Sequence, residues 1–389
     1  MKMEFPAFID NFVAGEWPIV SLVLLGLLVV LFLVQIVYHI AFYGRISTYR
    51  NPQPSAEAKE VGISVIVPLF DADFGFLNER LPVLLAQTLK NYEVVLVNVT
   101  GDEDFSEHIK LLKITQPRLS STKLKVDPAF PISTKMALNV GIKAAHYDHL
   151  IFTLPDCTPS SERWAEMFAR GFVGHDVVLG YASLAPRKGW WSRTMKCANM
   201  ATSMRWLSSA LCRRPYRGTL CNLGFTKKIY FEARGFNHLN LNMGEDDLFV
   251  MKIASAANTT VTIGGASTVS QVAWGGLGWW KKRRVRLSYP YKFYPKRVKW
   301  GTGVELWSRA LFFAAAIAVA LLLPLPSAIV AGSAVALRLL VVWLVAKRTA
   351  RRLSERGLLI AWPLYDFFAP LAEALLAIER AFVPKYKWR

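Results

Sequence analysis

The sequence predicts an α/β domain built on a parallel sheet and flanked by transmembrane helices. Three observations carry this expectation. Uncharged apolar runs stand near both ends of the chain, short apolar strands alternate with helical segments between them, and acidic residues gather just past those strands. The composition agrees: 53% of the 389 residues are hydrophobic, more than a soluble domain usually carries. The net charge of +19 would suit nucleic acid or an anionic leaflet, and the apolar runs favour the leaflet.

The first element is a span over residues 18–43, which contain no Asp, Glu, Lys or Arg. A bilayer core needs about 20 helical residues. The preceding stretch, residues 1–17, has one Lys against three acids, and no small-residue cleavage site follows, so a retained anchor is expected rather than a signal peptide. Residues 306–347 read as a hairpin of two spans broken at "LPLPS", where prolines stop a helix. Arg338 lies inside the second of these and is expected to snorkel or to face a protein partner. Arg45 and Arg50, Lys299 and Arg309, and Lys347, Arg348, Arg351 and Arg352 fall on one side if residues 44–305 are cytoplasmic and residues 1–17 lie outside. Residues 348–389 form a basic loop and an apolar segment interrupted by Asp366, Glu373 and Glu379, expected to be interfacial or re-entrant, with a fourth span as the alternative. The expected setting is a cell membrane, such as a bacterial inner membrane. Four cysteines without CxxC spacing are expected as reduced thiols.

Residues 44–61 read as a polar linker, and the α/β pattern begins at residue 62. "GISVIVPLF" and "YEVVLVNVT" are strands, each followed by a helical stretch; "TKLKV" is a short third strand. "PISTKMALNVGIKAAHY" is a helix capped by Ser133, and "HLIFTLPD" is the next strand. On such sheets ligands bind beyond the carboxyl ends of the strands. No GxGxxG or GxxxxGK[ST] run occurs there, which disfavours a dinucleotide-binding or P-loop enzyme.

Four constellations stand out. Asp156, in "TLPDCTP", is placed at a strand tip where one carboxylate can hold a divalent cation; a turn or helix cap is the plain alternative. Lys135 and Asn139 share a helix face, suited to phosphate and ribose, though exposed Lys and Asn on helices are common. "GEDDLF" puts three acids in succession before an apolar-periodic helix. Dipole complementation explains one or two of them, and mutual repulsion helps make a general base, with Asp246 the base and Glu245 orienting the acceptor. Finally, residues 288–305 continue a basic and aromatic strip that begins at Lys281, with nine Lys or Arg and no acid up to Lys299. Most of it suits anionic lipid, while Arg283 and Arg284 suit a diphosphate and Trp279 and Trp280 a platform for sugar or acceptor.

With these pieces in order, the chain resembles the integral-membrane branch of the family 2 glycosyltransferases over residues 62–287. "ISVIVPLF" looks like the family's first nucleotide-binding strand, "STKMALNVGIKAA" its K-x-x-A-L-N-x-G-I helix, and "LPDC" its D-A-D-C metal motif. "CNLGFTKKIYFEARGF" resembles its acceptor-side strand and helix, and "GEDDLF" its E-D base motif. The resemblance implies a GT-A fold, a Rossmann-like nucleotide-diphospho-sugar transferase domain. It implies Asp156 as ligand to Mg²⁺ or Mn²⁺, Asp246 as catalytic base, and Lys135, Asn139, Asp102 and Pro68 on the donor side. Two departures count: Leu154 replaces the first metal-motif acid, and the Q-x-x-R-W motif of processive members is not intact after Gln271.

The expected activity is inverting transfer from a nucleotide-sugar donor, a uridine diphosphate sugar first, to a lipid-linked or glycan acceptor at the cytoplasmic leaflet. Membrane lipids, and subunits of a polysaccharide synthase complex, are the other expected partners. The alternative is a catalytically weak or inactive nucleotide-sugar-binding subunit of such a complex. A tethered nucleic-acid binder rests on charge alone, and no nucleic-acid partner is expected.

Overall fold

The computed structural model describes residues 19–125, 132–238 and 246–382. Its centre is a seven-stranded sheet, with β1 (Ile63–Leu69), β2 (Tyr92–Asn98), β3 (Leu119–Lys123), β4 (His149–Phe152), β6 (Val177–Gly180), β8 (Leu223–Thr226) and β9 (Thr259–Thr262). The spatial order is β3-β2-β1-β4-β8-β6-β9. Only β8 runs against its neighbours. Three short strands, β5 (Cys157–Pro159), β7 (Ala182–Leu184) and β10 (Val269–Gln271), make a second sheet in the order β5-β10-β7.

Burial of both faces explains why β1 and β2 are predominantly apolar, with successive residues pointing to opposite sides. Ile63, Val65 and Val67 with Val94 and Leu96 pack on one face, against Trp164 and Phe168. Ile66, Val95 and Val97 pack on the other, against Leu138 and Ile142. A parallel sheet buried on both faces takes such continuous apolar strands. The third strand starts three residues before the expected "TKLKV", because Leu119 fills the core beside Val94 in register.

The chain builds β1, β2 and β3 outward in one direction and then returns to place β4 on the other side of β1. This reversal opens a crevice at the carboxyl ends of β1 and β4, where ligands bind in open α/β sheets. The helix Thr134–Ala144 packs over β1 and β2 through Gly141. A Cβ there would stand 2.5 Å from Ile66 Cγ2 and 2.9 Å from Val97 Cγ2.

Among the described residues, three helices are long and apolar enough to cross a membrane: Ile19–Thr48, Lys296–Leu322 and Leu325–Arg352. The last two extend past residues 306–347 at both ends. With Pro295 and Pro324 lying only at their heads, nothing breaks the helices as they run into their basic turns. Part of the basic strip, from Lys296 on, therefore belongs to a rigid helix. The stretch 44–61 is docked rather than loose. Tyr43 and Ile46 are buried, and the Asn51 side chain donates to Ile263 O at 2.6 Å and accepts from Ile263 N at 3.0 Å.

Of the two expectations for Arg338, it does not snorkel but faces protein groups. It is fully buried, paired to Asp366 and donating to Gln35 Oε1 at 2.7 Å. Arg309 meets the same Asp366 at 3.2 Å and also pairs with Glu305. The acids that interrupt the last apolar segment thus have cationic partners, and that segment is one helix, Trp362–Phe382, with Pro370 inside it.

Candidate active site

Asp156 follows β4 at the crevice and leads directly into β5. Its carboxylate is held from two sides. Gln271 Nε2 donates to Oδ2 at 3.0 Å, and the Cys157 thiol lies 3.4 Å from Oδ1. The pairing of Cys157 with Gln271 across β5 and β10 sets this meeting. Gln271, itself buried, accepts from Arg283 Nη2 at 2.6 Å, so a carboxylate, an amide and a guanidinium form one relay. Burial holds the Arg283 guanidinium below its ordinary pKa, with Cys221 and Asp156 working against that.

Leu154 is apolar because its side chain packs with Cys157, Ala182, Cys221 and Val269 behind the carboxylate. Among the described residues no group of three His, Cys, Asp or Glu stands ready for a metal. Asp156 alone still fits a divalent ion. A carboxylate has about four lone-pair positions and only two are engaged here, and Mg²⁺ commonly takes one or two carboxylates beside phosphate and water.

The second acid comes close through residues 217–222. Thr153 Oγ1, at the end of β4, donates to Cys221 O at 3.0 Å, and Leu220 N donates to Asp246 Oδ2 at 3.3 Å. Asp246 thus bonds this short segment directly, and Asp156 stands three residues past Thr153, which bonds it at Cys221. Arg217, at its start, lies within electrostatic reach of Asp246, Asp247 and Arg283. Burial works against the Arg217 charge, and Tyr294, Asp247 and Asp246 more than offset it, so its pKa is raised. Asp247 is 2% exposed. It accepts from Leu248 N at 2.7 Å and from Tyr294 Oη at 2.8 Å, and burial followed by Asp246 pushes its pKa up to about 6. Glu245 lies outside the described residues.

Asn222, of "CNLGF", is the buried post behind this segment. It accepts from Trp164 Nε1 at 2.9 Å and donates to Tyr181 O at 2.7 Å and Ser267 O at 2.9 Å. Lys135 and Asn139, expected on the donor side, sit on the helix Thr134–Ala144, capped by Ser133, and Asn139 Oδ1 accepts from Tyr230 Oη. Pro68 is buried one residue before the end of β1. Asp102 caps the helix Glu103–Thr115, accepting from Phe105 N at 2.7 Å.

Arg284 points away from the relay, pairing with Glu373 and donating to Thr202 Oγ1. Trp280 is buried and Trp279 half-buried, with the Arg283 guanidinium 5.4 Å and 5.8 Å from their rings. They support that arginine. Arg217 and Asp247 are site residues that sequence reasoning did not single out, and Gln271 was noted only as a motif remnant. Asp247 shared the "GEDDLF" signal, whereas Arg217 in "RRPYRG" carried none.

No protein-family model and no curated protein matches the chain. Among solved structures, the mannosyltransferase PcManGT from Pyrobaculum calidifontis, in complex with GDP-Man and Mn²⁺, is similar over 90% of this chain and 98% of its own, with 15% identity and a TM-score of 0.54. S. aureus TarS 1–349 is similar over 80% of this chain and 92% of its own, at 15% identity and a TM-score of 0.41. GalNAc-T7 with UDP, GalNAc and Mn²⁺ matches over 59% of this chain and 48% of its own, at 12% identity and a TM-score of 0.39. The parallel-rich sheet and the PcManGT likeness over 90% of the chain lead to one conclusion: this chain has the GT-A fold of glycosyltransferases.

Proposed function

We propose that the chain is a membrane-anchored inverting glycosyltransferase, moving a sugar from a nucleotide-diphosphate donor to a lipid-linked or glycan acceptor at the cytoplasmic leaflet. The observation that supports this reading is that Asp246 accepts from Leu220 N while Thr153, three residues before Asp156, donates to the neighbouring Cys221 O, beside the switch point of the sheet. One carboxylate faces the donor side and one the acceptor side. Asp246 takes the proton from the acceptor hydroxyl as its oxygen attacks the anomeric carbon. Arg283, held by Gln271, lies where charge develops on the departing diphosphate, and a fixed donor fork there stabilises the transition state without reorganising. Asp156 would hold Mg²⁺ or Mn²⁺, whose positive charge neutralises the leaving diphosphate. Lys135 and Asn139 contact the donor, Trp279 and Trp280 back Arg283, and Glu245 orients the acceptor.

PcManGT was solved with GDP-Man and Mn²⁺, which supports a divalent ion and widens the donor screen from uridine to guanosine diphosphate sugars. The full chain in lipid, given such donors with Mg²⁺ or Mn²⁺, is expected to release nucleoside diphosphate. Asp246→Asn is expected to lower turnover about 10²- to 10⁴-fold, the usual contribution of a general base. Full turnover in that variant would refute the base assignment. Leu154 favours a second reading, a nucleotide-sugar-binding subunit of a synthase complex. Donor binding without release of nucleoside diphosphate would identify it.

A further inference from the structure

The helix that carries Arg283, Leu277–Ser288, has little of its own to hold it in place. It is entered through Gly275 and Gly276, and Gly276 at its head supplies no side-chain cap. Five of its 12 residues are cations, Lys281, Lys282, Arg283, Arg284 and Arg286, and none is an acid. Like charges four residues apart, as in Lys282 and Arg286, work against a helix, and one this short is marginal by itself. The compensating acids come from the last helix, Trp362–Phe382. Arg284 pairs with Glu373, their side chains being only 12% and 20% exposed, and it also donates to Thr202 Oγ1 on the helix Trp190–Leu211. Glu373 reaches that same helix through Arg205, at 3.3 Å. The other pair, Lys281 with Glu379 at 3.1 Å, is 57% and 38% exposed, and such a pair holds little.

Adjacent residues leave a helix about 100° apart, so whatever fixes Arg284 also fixes where Arg283 starts. Arg284 is turned into the meeting of three helices, and Arg283 towards Gln271 and, through it, Asp156. Tyr365 of the last helix packs beside Trp280, over which the Arg283 guanidinium lies. We propose that Glu373 is a positioning residue for transfer: by locking Arg284 it sets the helix Leu277–Ser288 and holds the Arg283 guanidinium where the diphosphate binds. Glu373 acts through Arg284 on Arg283, and the working group is Arg283. The assignment rests on reading Asp156 and Arg283 as the donor side of the proposed transferase. An ion pair that served only the fold would bear on stability and leave the task of Arg283 untouched.

The test is calorimetric titration of UDP and of GDP, each with Mn²⁺, into the full chain in lipid nanodiscs, with a thermal unfolding curve for every variant. The unaltered protein is expected to bind at least one of the two. Glu373→Gln, which keeps the shape and removes the charge, should weaken that nucleotide about tenfold or more, and Arg284→Ala should do the same. Glu373→Asp should restore part of the loss. Glu379→Gln, at the exposed pair, should change the affinity less than about twofold. A double-mutant cycle with Arg283→Ala decides the route: adding Glu373→Gln to Arg283→Ala should weaken binding by no more than about a further twofold. If Glu373→Gln fails to fold, Glu373→Asp is read in the same cycle. Losses that add in full across the cycle, or a Glu373→Gln protein that binds nucleotide as tightly as the unaltered one, would overturn the positioning role and leave the transferase reading standing. An unaltered protein that binds neither nucleotide would overturn the donor-site reading, and this assignment with it.

Discussion

Replacing Gln271 by Ala removes the amide that stands between Asp156 and Arg283. Two hydrogen bonds to charged groups are lost, at 3.0 Å and 2.6 Å, each worth about 1.5–3 kcal/mol in general. The folded protein can recover much of this. With the spacer gone, the guanidinium can close on the carboxylate, and two unit charges at about 4 Å attract by about 4 kcal/mol at an effective dielectric of 20. The net cost in stability is therefore expected to be small, about 1–2 kcal/mol. The functional cost is larger, because an Asp156 paired to Arg283 no longer offers its oxygens to a cation, and Arg283 no longer faces the diphosphate. The apparent donor KM should rise about tenfold or more, and more divalent ion should be needed for half-maximal rate. Gln271→Glu separates the effects: it keeps an acceptor for Arg283, now as an ion pair, and sets a second carboxylate beside Asp156. Nucleoside-diphosphate release, measured against donor and Mn²⁺ concentration with a parallel thermal unfolding curve, reads both quantities. A Gln271→Ala protein with unaltered donor KM and unaltered metal requirement would refute the relay.

Asp247 supplies a pH dependence. Its folded pKa of about 6 lies above the ordinary carboxylate value, so the folded state favours the protonated form. Its contribution to stability is fully present below about pH 4 and is lost as the pH rises to about 6, by up to about 3 kcal/mol for a shift of this size. Asp247→Asn should flatten that decline in thermal melts taken across the range, and an equally steep decline in the variant would assign it to another group. Gly141→Ala pushes a Cβ into Ile66 and Val97 and should cost about 1–3 kcal/mol by overpacking, read as a lowered unfolding temperature. Asp366→Ala strands Arg338 and Arg309 in the buried network, at about 3–5 kcal/mol. Adding Arg338→Leu to it should recover part of the loss, whereas a double variant less stable than the single one would contradict the pairing.

The sequence by itself determined the elements whose signal is local. An uncharged run long enough for a bilayer, the apolar runs of β1 and β2, the Ser133 cap and the acids of "GEDDLF" are properties of a few adjacent residues, and local propensity converts them directly into structure. Their order along the chain was enough to suggest the GT-A fold. What the tertiary structure alone decided were meetings between distant residues. Gln271 reaches Asp156 only because β5 and β10 pair antiparallel, and those residues are 115 positions apart. Asp366 finds Arg338 and Arg309 only because the last helix packs against the spans. Nothing near it in sequence distinguishes it from an acid that would forbid burial. The hold on Arg284 is the extreme case, since it joins the helices Trp190–Leu211, Leu277–Ser288 and Trp362–Phe382. Coulombic and hydrogen-bond partners are chosen by proximity in space. The sheet order and helix packing that set that proximity are global properties, which no window of the sequence contains.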